Sequence, residues 1–303
     1  MLARSLLWAS QKPLVESFVR QSGLTRSVVE RFIAGDDLDH AITAISELNS
    51  RGIGGTLDLL GEGVTDPAGA DAAAADYLAA IKRIEEASID TTVSVKLTQL
   101  GLAFEKGACI DHLRRLAAEA TAVKTTIEID MEQSAYVADT LDVYRVLQAD
   151  QPLLRVAVQA YLRRSPVDLE TLAALRPRVR LVKGAYAESE AVAFQSRREI
   201  DAQFAFLTEW LFARGAHPAI ATHDGRLLAH AKRTAAAAGV ARDGFEVQML
   251  YGVRRELQQK LADDGYRVRV YVPYGSAWYP YLMRRMAERP ANLRFFLRAL
   301  LRD

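Results

Sequence analysis

Cysteine occurs once in 303 residues, as Cys109, which excludes an internal disulfide and any Cys-x-x-Cys metal knuckle and fits a reducing compartment. Neither sign of charge is in excess: 39 Lys and Arg against 38 Asp and Glu leave a formal net charge of +1. With no basic block standing out, bulk electrostatics suggest no nucleic-acid partner, and a small molecule is the expected ligand. Arg4, Lys12, Glu16 and Arg20 interrupt the first thirty residues before any apolar run reaches the ~7–15 residues of a signal-peptide core. Runs of ~18 apolar residues are also missing, so no membrane span is expected and the cytoplasm is the expected location. G-x-S-x-G and H-E-x-x-H are absent, and His40, His112, His217 and His230 show no ligand spacing. Nucleophilic hydrolysis and metal catalysis therefore lack their signatures, and no metal is expected.

What is present is globular: 50% hydrophobic and 25% charged residues, enough for a large core. From about residue 50 onward, short β-branched or apolar segments alternate with longer amphipathic ones. The strands are expected at Gly54–Leu60, Thr92–Leu97, Thr125–Asp130, Leu154–Ala160, Val179–Lys183, Ala219–Thr222, Phe245–Leu250 and Arg267–Val272. Helices are expected between them at Asp71–Ala87, Ile110–Thr121, Ala135–Gln148, Val167–Leu175, Ala191–Ala213, Gly225–Ala238 and Arg254–Asp264. Each is long enough for a right-handed crossover. Eight such repeats over some 250 residues predict an α/β fold of the (β/α)₈ TIM-barrel type over 51–303, preceded by an N-terminal helical segment over 1–50. A doubly wound sheet would carry a glycine-rich phosphate turn after an early strand, whereas Gly52-Ile53-Gly54-Gly55 precedes one.

Barrel active sites sit at the C-terminal ends of the strands, and here nearly every strand closes on a polar residue: Asp58 and then Glu62, Lys96, Asp130, Gln159, Lys183, His223, Gln248 and Tyr271. Lys96 and Asp130 alternate with apolar neighbours and are expected to point inward, as a ligand site or as a buried ion pair. Gln159 and Gln248 offer donor and acceptor together, suiting a heterocycle edge. Arg178, Arg180 and Lys183 flank a strand that runs into Gly184-Ala185-Tyr186, where close backbone and cations suit a phosphate. Asp224 reads as an N-cap. Near the chain's end, Tyr281, Arg284, Arg285 and Glu288 share one helical face. Two guanidinium groups in adjacent register form a fork for a small carboxylate, although a solvated stripe is the alternative. Tyr271, Tyr274, Trp278, Tyr279 and Tyr281 supply walls for an apolar ligand body or core filler.

Taken together, Val95-Lys96-Leu97, Ile129-Asp130-Met131-Glu132, Val158-Gln159-Ala160-Tyr161, Arg180 through Tyr186, Ala221-Thr222-His223, Gln248 through Gly252 and Tyr281 through Glu288 resemble the proline dehydrogenase family. The resemblance covers nearly all of residues 50–295 and extends to the proline dehydrogenase domain of bifunctional proline utilization proteins. It implies a distorted barrel holding FAD at the strand C-termini, with the last helix over the mouth. It implies that Arg284, Arg285 and Lys96 take the substrate carboxylate, that Tyr271, Tyr281 and Leu250 pack on the five-membered ring, and that Glu288 lies near the amine. By the same resemblance Asp130 stands beside the active site, Arg180 contacts the flavin N5, Gln159 the flavin edge, Lys183 the pyrophosphate and His223 the nucleotide half. Ala185, Tyr186, Thr222 and Gln248 complete the implied cofactor contacts, and Glu62 is the implied gate that pairs with a substrate arginine on closure. The implied reaction is oxidation of L-proline to Δ1-pyrroline-5-carboxylate, with hydride passing to FAD and electrons onward to a quinone. A monofunctional form is implied, with Leu293–Leu301 a candidate for peripheral attachment to the inner face of the membrane or for ordinary packing. Three readings compete: hydroxyproline as substrate, a non-catalytic carboxylate-binding barrel, and an aldolase using Lys183 or Lys96 as Schiff base.

Overall fold

Eight parallel strands pair in sequential order, and β1 closes on β8 to complete a barrel. The computed structural model describes residues 26–61, 64–151 and 153–288, with the side chains of 26–28, 284 and 286–288 outside that description. The strands are β1 (Gly54–Leu59), β2 (Thr91–Val95), β3 (Ile127–Ile129), β4 (Arg155–Gln159), β5 (Val179–Val182), β6 (Ala219–Ala221), β7 (Glu246–Leu250) and β8 (Arg267–Tyr274). All eight fall where the alternation places them, within a residue or two at most ends.

Among the described residues two helices precede the barrel, α1 (Arg26–Phe32) and α2 (Leu38–Asn49). Between strands come α3 (Pro67–Ala87), α4 (Lys106–Ala122), α5 (Val137–Gln148), α6 (Ser165–Leu172), α7 (Arg197–Arg214), α8 (Gly225–Ala237) and α9 (Arg255–Asp263), and α10 (Trp278–Glu288) follows β8. Each crossover helix turns an apolar stripe to the sheet; on α3 it is Ala70, Ala74, Tyr77, Ile81 and Ile84, all buried at the i, i+3, i+4 spacing.

One helix is shorter than its sequence pattern. Residues 191–196 do not join α7, because Ser196 caps it: the Ser196 hydroxyl accepts from the Glu199 N–H and donates to the Glu199 carboxylate at 2.5 Å. The chain from 183 to 196 is instead a loop beside the barrel mouth, tied down by a bridge between Leu162 and Ala193 and by Glu188, whose carboxylate accepts from the Ser134 N–H and hydroxyl at 2.7 Å.

The outer ring is completed from an unexpected direction. Helix α2 lies against β1 and β8, with Ile45 seated so closely on Gly55 that a Cβ there would come within 2.7 Å of it. It fills the slot that a helix following β8 would otherwise occupy. That frees α10 to cross the C-terminal mouth, where Tyr281 and Arg285 face the cavity. Phe32, Ile33, Leu60, Tyr279, Leu282 and Met283 form a separate apolar cluster that clamps α10 to α1.

Candidate active site

The barrel interior is charged where most barrels of this class are filled by branched apolar residues. Because β-strand side chains alternate, positions two apart on each strand share the inner face. This brings Asp58, Glu128, Asp130 and Glu246 together with Lys96, Arg155, Arg180 and Arg269, four anions against four cations, all inside the barrel. Glu128 receives Arg155 at 2.9 Å and Arg180 at 3.2 Å, with Thr92 and Gln248 donating as well. Glu246 receives Arg155 and Arg269, each at 2.8 Å. Burial opposes the charge on Glu246, but those two guanidiniums outweigh it and hold the carboxyl well below its ordinary range. Such a network stabilises little in net terms, since desolvation consumes most of the Coulombic gain; its use is positional.

The upper edge of this network forms the floor of a cavity of about 910 Å³ at the strand C-termini. Lys96, from the end of β2, sits 2.6 Å from Asp58 and 3.2 Å from Asp130. Burial pulls the lysine down, yet the two carboxylates and the Tyr271 hydroxyl outweigh it, so Lys96 stays above the usual lysine value and is held as a cation. A Schiff-base lysine must be neutral, which removes Lys96 from the aldolase reading. Asp130 also binds Arg180 and Ser94, and accepts from the Tyr271 hydroxyl at 2.7 Å. Burial raises it, but Lys96 and Arg180 outweigh burial and keep it well below the carboxylate range. Asp58 is raised by burial despite Lys96. Arg180 lies over the Tyr271 ring, 5.2 Å from its centroid, so each fixes the other.

The remaining walls come from loops and from α10. Leu250 lines the cavity, and its N–H donates to His223 Nε2 at 2.9 Å, which leaves Nδ1 to carry the proton of the neutral ring. Gln248, also lining, spends its amide N–H groups on Glu128 and Glu246. Gln159 donates to the carbonyls of Met131 and Glu132, while its Oε1 is a buried acceptor with no donor among the described residues. Gly184, with φ +117°, packs so closely under the Tyr161 ring that any side chain would collide with it. Beside it Lys183 pairs with Asp201 and reaches Asp224 at 3.7 Å, and Arg197 donates to Asp224 at 2.7 Å. Arg285 stacks on Tyr281, its guanidinium carbon 5.1 Å from the ring centroid.

Lys96, Asp130, Gln159, Arg180, Lys183, Ala185, Tyr186, Thr222, His223, Gln248, Leu250, Tyr271, Tyr281 and Arg285, singled out from the sequence, all line this one cavity. Glu62 and Leu293–Leu301 lie outside the described residues, as do the side chains of Arg284 and Glu288. Arg178 departs from expectation: it stands at the opposite end of β5 from Lys183 and lines a different cavity. Five residue steps along extended chain, at about 3.3 Å each, separate the two by roughly 16 Å, too far to share a phosphate. Missed from the sequence were Glu128, Arg155, Glu246 and Arg269, although their alternation with Ile129, Val156, Val247 and Val270 marks each as inward-facing.

Asp224 caps α8 as its sequence context suggested, accepting from the Arg226 N–H. Burial raises its pKa, but the Arg197 hydrogen bond and the Arg226 N–H outweigh burial and bring it to about 2 from an ordinary 3.8. A carboxyl lowered on folding contributes stability that is complete above the ordinary value and is lost as pH falls through the folded one. Asp224→Asn is therefore expected to lower the urea midpoint at pH 7 and to leave it nearly unchanged at pH 2, as followed by circular dichroism.

The chemistry on offer is narrow. Cys109 is buried and its thiol is pushed up to about 12 by burial, so it is not a nucleophile. The cavity instead joins fixed cations, a fixed anion and aromatic walls, a receptor for a small zwitterion beside a longer groove with cations at its far end. Fold and site together define a (β/α)₈ barrel with a charged ligand site at the strand C-termini, where barrel enzymes do their chemistry.

A family model described as Proline dehydrogenase matches residues 41–298. Over 302 residues the chain is 39% identical to Proline dehydrogenase 1 of Bacillus subtilis subsp. natto, covering 100% of both proteins. It is 38% identical to Proline dehydrogenase of Deinococcus radiodurans, covering 99% of this chain and 97% of that protein. In the crystal structure of proline utilization A from Bdellovibrio bacteriovorus, 86% of this chain superposes on 32% of that one with a TM-score of 0.80 and 25% identity. The chain belongs to the proline dehydrogenase family.

Proposed function

We propose that the protein oxidises L-proline to Δ1-pyrroline-5-carboxylate, using FAD at the C-terminal mouth of the barrel and a quinone as final acceptor. Carrying this reading is the convergence of Lys96, Arg180, Arg285, Tyr271 and Tyr281 in a single cavity with the unsatisfied acceptor of Gln159. The groove suits FAD by its chemistry. Gln159 Oε1 awaits a donor such as a flavin ring N–H, Ala157, Val182 and Ala221 give an apolar bed, and Lys183 and Arg197 supply cations where a pyrophosphate would lie. His223, Thr222, Ala185, Tyr186 and Gln248 complete the lining that would hold it. FAD, when bound, supplies the two-electron acceptor that no side chain provides.

The chain's own residues bind and orient. Arg285 and Lys96 take the proline carboxylate, and Tyr271, Tyr281 and Leu250 fix the plane of the ring; the family resemblance alone assigns Arg284 to the carboxylate, Glu288 to the amine and Glu62 to the gate. Helix α10 shields the reacting carbon from water. The Tyr271 hydroxyl is held by Asp130, so this wall does not retract, which favours proline over hydroxyproline. The test is an anaerobic absorbance spectrum of the purified protein before and after L-proline. Yellow protein that bleaches on adding proline is expected; a colourless protein would revive the non-catalytic barrel.

Asp130 is held charged and Lys96 is held protonated near neutrality, so neither takes up the amine proton, which leaves to water before oxidation. Only the free amine has the lone pair that expels hydride. kcat/KM for proline is therefore expected to climb between about pH 6 and 9, and a flat profile would contradict this order of steps.

A further inference from the structure

The strands' N-terminal ends surround a second cavity, of about 160 Å³, on the opposite side of the barrel from the groove just described. Its carboxylates are largely committed. Glu246 is shared by Arg155 and Arg269, Asp90 binds Arg269 at 3.0 Å, and Asp243 sits exposed on the rim. Of the cations, Arg155 and Arg269 are paired with carboxylates, but Arg178 is not. Arg178 is half-buried, has no ion pair among the described residues, and its Nε is buried without an acceptor; Arg155 Nε is likewise unsatisfied. Arg267, Lys124 and His217 stand around the same space. His217 is held with φ +46°, a conformation that costs a non-glycine residue strain. Burial and the neighbouring Arg155 press the Arg178 pKa down, and burial with Arg178, Arg155 and Arg267 does the same to His217.

The N-terminal face of such barrels ordinarily serves stability. An unpaired guanidinium converging with other cations does the reverse, unless an anion joins it. We propose that this cavity binds a small multivalent oxyanion of phosphate size, held by Arg178 and Arg155 with His217 and Arg267 at its entrance. The volume is well below the ~300–1,000 Å³ of sites for drug-sized ligands, which excludes a nucleotide. Binding there stabilises the fold from the side remote from the proline cavity.

The experiment is a thermal midpoint measurement on the flavin-loaded protein in rising inorganic phosphate, against chloride at matched ionic strength, with ³¹P line broadening as the binding readout. A saturable rise specific to phosphate is expected. Arg178→Gln should weaken phosphate binding at least about tenfold, the worth of one charge-assisted bond. Without phosphate it should melt no lower than the parent, because a repulsive contact is gone. Arg267→Gln, at an exposed position, should weaken binding without affecting folding. Lys183→Met should keep the full phosphate response, separating this cavity from the cations of the C-terminal groove. No phosphate-specific rise, a rise that survives Arg178→Gln, or one abolished by Lys183→Met would each overturn the proposal.

Discussion

Arg285→Ala is expected to cut kcat/KM for L-proline by roughly thirtyfold to several thousandfold while the protein keeps its flavin. The range follows from the ~2–5 kcal/mol that truncating one partner of a buried charge-assisted pair costs. Arg285 is 9% exposed and stacked on Tyr281, so it reaches the cavity already desolvated and oriented. Alanine is the best helix former, and α10 is clamped by its own apolar face, so the helix should persist. Arg285→Lys should recover only part of the loss, because a point charge lacks the planar fork that orients a carboxylate. Steady-state kinetics with the flavin absorbance as occupancy control would decide it. Wild-type kinetics in Arg285→Ala would remove this residue from the carboxylate site.

The fold was legible because parallel barrel strands are buried on both faces, so each reads as a short apolar run that the eye can count. Strand ends were legible too: a polar residue closing such a run has one wet place to go, the barrel mouth, which is why Lys96, Asp130, Gln159 and Tyr271 fall together. Depth along a strand was harder. Alternation tells which face a residue takes but not which end of the barrel it serves, and Arg178 was grouped with Lys183 although the length of β5 divides them between opposite cavities. Residues 191–196 were read as helical because their composition permits a helix, while the Ser196 N-cap that starts α7 went unweighed. The position of α2 in the outer ring had no local signal, since it depends on Ile45 meeting Gly55, a contact between a helix and a strand that pattern alone does not pair.

Glu128 carries the second large effect, and it concerns the fold before the chemistry. It is fully buried, and through Arg155, Arg180, Thr92 and Gln248 it links β2, β3, β4, β5 and β7 at the centre of the barrel. Glu128→Ala leaves two buried guanidiniums short of their anion, a change that typically costs on the order of 3–5 kcal/mol. That is a large share of the ~5–15 kcal/mol by which domains are stable, so poor soluble yield and a sharply lowered melting temperature are expected. Glu128→Gln preserves shape and one acceptor and should fold, but Arg180 then loses one of its two anions and leans further on Asp130. Because Arg180 stands under the proposed flavin site, the Gln variant should show a shifted flavin spectrum or reduction potential, which a merely structural role would not produce. A Glu128→Ala variant as stable as the parent would show that the interior charges are independently solvated and that the barrel is not organised around this carboxylate.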